Sequence, residues 1–181
     1  MVFDFRNIDD IRTDRLRLRK VSMTDAEDIF AFTSNPIGKE FLSWEPHENL
    51  ERTQGFVHFL QENYNSGEPV QWGIELVEEN RIIGITGFID YLPGHNRSEI
   101  AFIMSPDYEG MGYMTEANTA VMQYGFETVG LHRIQAKAEV GNVGSQKVLE
   151  KIGMEKEGLL KHYLFQKGAY RDYYLYSKLS H

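Results

Sequence analysis

The sequence lacks cysteine, and it lacks any long run of apolar residues. Without cysteine the chain has no disulfides, no thiolate metal ligands and no thiol nucleophile. No apolar stretch approaches the ~18 residues that a membrane-spanning helix needs. The first residues, MVFDFRNIDD, carry acids and no apolar core, so they do not resemble a secretory signal. These absences predict a cytoplasmic protein with no membrane partner.

Basic residues are also scarce. The 19 lysines and arginines stand against 27 acids, which gives a net charge of −8. Non-specific binding to nucleic acid needs a basic surface, so no nucleic-acid partner is expected. The histidines do not form close pairs at metal-ligand spacing, and we predict no metal site. Internal repeats, low-complexity segments and flexible linkers are missing too, so residues 1–181 are expected to form a single domain.

The periodicity of apolar residues predicts a mixed α/β fold. Apolar residues at helical spacing indicate helices over 22–35, 50–64, 114–128 and 142–152. Alternating segments predict one early strand, a three-stranded antiparallel meander, a fifth strand and a closing hairpin, at 15–21, 70–77, 81–90, 98–104, 132–140, 154–166 and 170–179. The strand–helix–strand order implies some parallel pairing.

Two glycines, Gly110 and Gly112, stand directly before the third predicted helix, in YEGMGYMTEA. The first turn of a helix leaves unpaired N–H groups and a partial positive charge, which together can bind a phosphate. Residues without side chains let a phosphate come close to the backbone. A plain turn into a helix is the alternative interpretation. A Rossmann loop is disfavoured because the third glycine is missing, and a Walker loop because no Gly-Lys-Ser/Thr follows.

A second segment, NVGSQKVLEKIGMEKEG, places Asn142 and Ser145 where the next strand passes into a helix. Taken alone, Asn142 is an ordinary helix cap. Together with the glycine turn, however, the sequence resembles the GCN5-related N-acetyltransferases (GNAT), and within them the RimJ/RimL-like branch that acetylates N-termini of ribosomal proteins. The similarity extends over nearly the whole chain, including RTDRLRLRKVSMTDAEDIF, FLSWEPHENLERTQGFV and the ending GAYRDYYLYSKL.

The resemblance implies the GNAT fold: a mostly antiparallel sheet of seven strands that splays between strands 4 and 5, flanked by about four helices. It also implies that acetyl-coenzyme A binds in that opening. Ile103 and Met104 would pair with the pantetheine amides, and Asn142 would contact the pantetheine arm. The pyrophosphate would be held by the backbone of Glu109, Gly110, Met111, Gly112, Tyr113 and Met114.

For the chemistry, Glu99 is the candidate base, acting directly or through water. Alternation places it on the same face as Ala101 and Ile103, although a surface acid is the other interpretation. A backbone N–H near Ile103 or Met104 is the candidate oxyanion donor. Ser145 resembles the Rim-type serine that protonates the thiolate, and the alternative donors are Tyr163, Tyr170 and Tyr173. Glu116 is a weaker base candidate because acids commonly occupy a first helical turn.

The acceptor side is expected around Phe41, Trp44, Glu45 and the LPGHNR loop. Trp44 can equally cover the core. Carboxylates at Glu45 and Glu48 favour a cationic amine. The expected reaction is acetyl transfer to a primary amine, foremost the N-terminal amine of a protein. A small-molecule amine as acceptor and a non-catalytic coenzyme A-binding module are the alternatives. The aromatic closing hairpin also allows a homodimer.

Overall fold

The computed structural model of the protein describes residues 2–36 and 41–180. A single sheet of eight strands runs through this part of the chain, in the order β1-β2-β3-β4-β5-β6-β8-β7. Its strands are β1 (Ile11–Arg12), β2 (Leu16–Arg19), β3 (Gln71–Leu76), β4 (Arg81–Leu92), β5 (Arg97–Met104), β6 (Arg133–Glu139), β7 (Glu155–Gln166) and β8 (Ala169–Leu179). The helices are α1 (Ala26–Thr33), α2 (Leu50–Ser66), α3 (Tyr113–Tyr124) and α4 (Val143–Lys151).

The mixed α/β prediction is confirmed, but the strand count is eight where seven were expected. The additional strand is β1, which has only two residues and pairs with β2. Two residues are too few to produce a detectable alternation, so this strand left no signal in the sequence. The fourth and fifth predicted strands are consequently β5 and β6.

The sheet splays between β5 and β6, which form its only parallel pair within the described residues. The pairing lasts for three positions and ends at Glu99 opposite Gln135. On the other side of β5, strand β4 carries a bulge at Ile89, where the register passes from Phe88–Ile100 to Asp90–Glu99. A bulge increases local twist and bends its strand. The bulge therefore lies level with the point at which β5 leaves β6.

Helix α3 begins at the predicted glycine turn. It continues into a π-helical turn, Gly125–Val129, and ends at Gly130, which has φ +76°. A side chain at Gly125 would come within 2.9 Å of the Phe88 ring. Close packing of this turn on the sheet thus fixes the far end of α3.

The core lies between the sheet and the helices and includes the fully buried Trp72, Phe88, Tyr176 and Ile134. Each buried side chain of this size contributes about 1.5–3 kcal/mol to folding. By contrast, β7 is an edge strand with an almost fully exposed surface. Pairing of this hairpin with a second copy stays a prediction. None of the helices in the described residues is long and apolar enough to cross a membrane.

Candidate active site

The opening between β5 and β6 exposes one backbone edge of β5. Ile103 and Met104 pair with β4 on one side, opposite Ile85 and Gly84. Across the opening, the pairing with β6 has already ended at Glu99. Unpaired backbone groups of a strand edge are ready to bind an extended partner. This geometry suits the predicted pairing with an amide-bearing arm.

The glycine turn follows β5 along the chain, a few residues after the exposed edge at Ile103 and Met104. Gly110 and Gly112 have φ values of +77° and +83°, which glycine adopts without the strain of other residues. No side chain caps α3, and Gly112 is its N-cap residue. The N–H of Glu109 already donates to the carbonyl of Pro106 at 3.3 Å. The amides left for an anion therefore follow Glu109, and Met114 can contribute only its backbone because its side chain is buried.

An ion pair from the start of β2 holds the glycine turn in place. The guanidinium of Arg15 contacts Oε2 of Glu116 at 2.7 Å, donates to the carbonyl of Met111 at 3.1 Å and lies 4.3 Å over the Tyr113 ring. Thr13 donates to Oε1 of Glu116 at 2.6 Å. Burial alone would raise the pKa of Glu116, but the bonds from Thr13 and Arg15 lower it. Glu116 is therefore part of the scaffold of the turn.

Helix α4 begins at the other wall of the opening. Oδ1 of Asn142 accepts a hydrogen bond from the backbone N–H of Ser145 at 3.0 Å, so Asn142 is a helix cap. The Nδ2 group of Asn142 has no acceptor among the described residues and can bind a ligand carbonyl. Ser145 is half-buried in the first turn of the helix. Both predicted roles of Asn142 are compatible, because they use different atoms of the amide.

Glu99 is buried beside the point where the strands separate, with 6% of its surface exposed. Its Oε2 accepts from Nε2 of Gln135 at 3.1 Å and contacts Nζ of Lys137 at 2.9 Å. Lys137 also donates to the Tyr163 hydroxyl at 2.9 Å. Burial alone would lower the pKa of Lys137, but its bonds to Tyr163 and Glu99 raise it. Oε2 of Glu99 is thus held by both Gln135 and Lys137 of β6.

The sequence did not reveal Lys137 as a partner of Glu99. The alternating burial along β6 does indicate the face from which Lys137 projects, since Gln135 and Lys137 share that face. Tyr163 reaches Lys137 from a bulge in β7, where residues 161–163 stand opposite Asp172 alone. Among the other candidate proton donors, Tyr173 is buried and donates to Gln166 at 2.9 Å. Tyr170 is exposed and packs on Phe165.

Of the predicted acceptor side, Trp44 lines a cavity of about 310 Å³ together with His47, Arg52 and Phe56. Phe41, Glu45 and the LPGHNR loop, which joins β4 to β5, do not line this cavity. Trp44 is half-buried and its ring centroid lies 5.1 Å from that of His47. Trp44 therefore both covers apolar surface and offers a wall. Glu45 is exposed. Burial, with the nearby charge of Arg52, lowers the pKa of His47.

Phe41 connects this acceptor side with the opening. A Cβ atom built on Gly141 would lie 3.1 Å from the Phe41 ring. Gly141 directly precedes Asn142, at the start of α4. The segment that carries Trp44 and Glu45 therefore begins against the wall of the opening.

Comparison with known proteins supports the same assignment. The sequence model of the acetyltransferase (GNAT) domain matches residues 15–155. The chain belongs to the GNAT acetyltransferase family. It is 34% identical over 167 residues to the uncharacterized N-acetyltransferase YoaA of Bacillus subtilis (strain 168), covering 92% of this chain and 94% of that protein. The predicted family membership is thereby confirmed.

Two further relatives cover nearly the whole GNAT chain. The ribosomal protein uS5-alanine N-acetyltransferase of Escherichia coli (strain K12) is 30% identical over 184 residues, covering 96% of this chain and 94% of that protein. The crystal structure of a GNAT-family acetyltransferase from Bacillus anthracis is 31% identical and has a TM-score of 0.84, covering 94% of this chain and 98% of that chain. The expectations of an N-acetyltransferase and of acetyl-coenzyme A as donor are confirmed with the family.

Proposed function

We propose that this GNAT enzyme acetylates the N-terminal α-amino group of a protein, of the kind presented by ribosomal proteins. One observation carries the proposal: the end-to-end similarity to an acetyltransferase that is named for the alanine of ribosomal protein uS5. Because acceptor-side segments are included in this similarity, it extends beyond the cofactor-binding elements alone.

The amides after Glu109 and the uncapped start of α3 would hold the diphosphate of acetyl-coenzyme A. The positive φ values of Gly110 and Gly112 support this role, as does the open space around a Cβ atom at Gly110. The exposed edge at Ile103 and Met104 would pair with the pantetheine amides, and Nδ2 of Asn142 would donate to a pantetheine carbonyl. The thioester would then lie near Glu99 and Ser145.

The neutral acceptor amine attacks the carbonyl carbon of the thioester, and the carbon–sulfur bond breaks. Glu99, directly or through water, would take the proton that the amine loses. A backbone N–H near Ile103 or Met104 would stabilise the oxyanion, and Ser145 would deliver a proton to the thiolate. Tyr163 is the alternative proton donor supported by its hydrogen bond with Lys137.

The ion pair between Glu99 and Lys137 supports an α-amine as acceptor. An α-amino group has a pKa near 8, so about a tenth of it is neutral at pH 7, whereas a lysine is almost wholly protonated. Because the Glu99 carboxylate is already bound by Lys137, it suits an α-amine, which needs less base catalysis than a lysine. The second candidate is a small cationic amine such as a polyamine, which the net charge of −8 and the exposed Glu45 favour.

Mass spectrometry of acetylated products tests the acceptor. The probes are an alanyl peptide with a free N-terminus, the same peptide with a blocked N-terminus and an internal lysine, and spermidine. We expect acetylation of the first peptide alone. Acetylation of spermidine without the alanyl peptide would reject the protein acceptor and favour the small amine.

Two substitutions test the site residues. Glu99→Gln should lower kcat by about 100-fold or more, the usual contribution of a general base. Ser145→Ala should lower kcat and leave the affinity for coenzyme A unchanged. Glu155→Gln, an exposed position on β7, is the matched control and should behave as wild type. Near-wild-type turnover in both site variants would overturn these assignments.

A further inference from the structure

One buried carboxylate oxygen has no partner within the protein. Among the buried side-chain nitrogen and oxygen atoms of residues 2–36 and 41–180, Oε2 of Glu139 alone lacks a hydrogen bond. The side chain is 11% exposed, and its Oε1 atom lies 3.9 Å from Nη1 of Arg171, at the limit of an ion pair. Buried polar atoms are almost always hydrogen-bonded, so an unpaired one points to a group that the protein alone does not supply.

The polar groups around Glu139 are committed to other atoms. Lys137 donates to the Glu99 carboxylate and to the Tyr163 hydroxyl. Gln146 donates to the backbone carbonyls of Glu139 and Val140 instead of to the carboxylate. Tyr173, the cross-strand neighbour of Glu139, donates its hydroxyl to Gln166. The remaining oxygen of Glu139 is thus an acceptor without a donor.

Glu139 also lies at a functional position. It is the last residue of β6, past the point where β5 and β6 separate, and alternation puts it on the same face as Lys137. It stands three residues before Asn142 and two before Gly141, against which the Phe41 ring packs. Along the chain, Glu139 therefore stands between the point where β5 and β6 separate and the turn against which Phe41 packs.

We propose that Oε2 of Glu139 accepts an N–H hydrogen bond from the acceptor amine, which arrives protonated, releases one proton to water and then attacks the thioester as the neutral amine. Glu139 would then be the residue that positions the acceptor nitrogen beside the thioester. Glu99, by contrast, is already held by Lys137 and Gln135. This inference rests on the proposed N-acetyltransferase chemistry, but it does not depend on whether the amine belongs to a protein or to a small molecule.

Calorimetry with two coenzyme A thioethers tests the inference without knowledge of the natural acceptor. S-(2-aminoethyl)-coenzyme A carries an ammonium group near the place of an attacking nitrogen, which stands roughly 3–3.5 Å from the acyl carbon in a reactive complex. S-ethyl-coenzyme A lacks the charge. The wild type should bind the aminoethyl compound about ten-fold more tightly, as a hydrogen bond to a charged group allows. In Glu139→Gln the ratio of the two Kd values should fall to about one.

Controls separate this role from general effects. Glu155→Gln and Glu99→Gln should both keep the ammonium preference. Glu139→Asp, which retains the charge on a shorter side chain, should give an intermediate ratio and serves if Glu139→Gln does not fold. An absent preference in the wild type, an unchanged ratio in folded Glu139→Gln, or its loss in Glu99→Gln would each overturn the assignment to Glu139. Failure of both thioethers and of coenzyme A itself to bind would instead refute the donor site.

Discussion

Replacement of Gly110 by alanine tests how much the backbone of the glycine turn contributes to anion binding. Gly110 has φ +77°, and nothing lies within 4 Å of a Cβ atom built on it, so alanine meets no clash there. The cost is the left-handed backbone alone, about 1–2 kcal/mol. Gly130 provides a matched control with φ +76° and the same open surroundings. Both variants should therefore lose a similar amount of unfolding free energy.

The two variants should differ in cofactor affinity. Alanine at position 110 disfavours the left-handed backbone that presents the amides of the turn, and the complex should lose one or two amide–phosphate hydrogen bonds at about 1.5–3 kcal/mol each. The Kd for coenzyme A should rise by about ten-fold or more. Gly130 stands at the opposite end of α3 and its π-helical turn. Together these cover residues 113–129 and are about 25 Å long. Substitution of Gly130 should leave the Kd unchanged.

Urea unfolding and calorimetry with coenzyme A measure the two quantities separately. The stability losses serve as the internal control, because they show that the same backbone strain has been introduced at both sites. A Kd for Gly110→Ala that equals the Kd for Gly130→Ala, at equal loss of stability, would refute the role of the glycine turn in binding.

Three further predictions follow from the same contacts. Arg15→Gln, which breaks the ion pair with Glu116, should raise the Kd for coenzyme A several-fold, and calorimetry showing wild-type affinity would contradict the scaffold role. Asn142→Asp keeps a good helix cap but loses the Nδ2 donor, so it should retain stability and weaken coenzyme A binding, whereas Asn142→Ala should also lose about 1 kcal/mol of stability. Wild-type affinity of folded Asn142→Asp for coenzyme A would show that Nδ2 of Asn142 does not contribute to binding. Burial lowers the pKa of His47 in the folded state, so the unfolded chain binds more protons once the pH is below about 6.5. The free energy of unfolding should therefore decrease as the pH is lowered below that value. His47→Gln should flatten this pH dependence of the urea midpoint, and an equally steep decline in the variant would exclude His47 as its source.

Local patterns predicted the layout of helices and long strands because burial on one face imposes a period on the sequence. The glycine turn and the Asn142 cap were also accessible, since both depend on local backbone requirements. The two-residue β1 was not, because it pairs with β2 without a periodic pattern of its own.

The ion pair of Glu99 shows why the rest could not be predicted. Lys137 meets Glu99 through the parallel register of β5 and β6, and this register is set by the fold as a whole. Tyr163 reaches Lys137 because of a bulge in β7, where His162 has φ +50° and its N–H donates to Oδ1 of Asp172 at 2.7 Å. Neither the register nor the bulge has a signature in the residues themselves. The unpaired oxygen of Glu139 likewise emerges only when all its neighbours are known.

Binding of the diphosphate by backbone amides at the start of α3 is tested most directly by amide hydrogen exchange with and without coenzyme A. Exchange at residues 110–114 should slow on addition of coenzyme A, whereas exchange at Gly130, at the far end of α3 and its π-helical turn, should not change. Unaltered exchange at 110–114 in the presence of saturating coenzyme A would contradict this mode of binding.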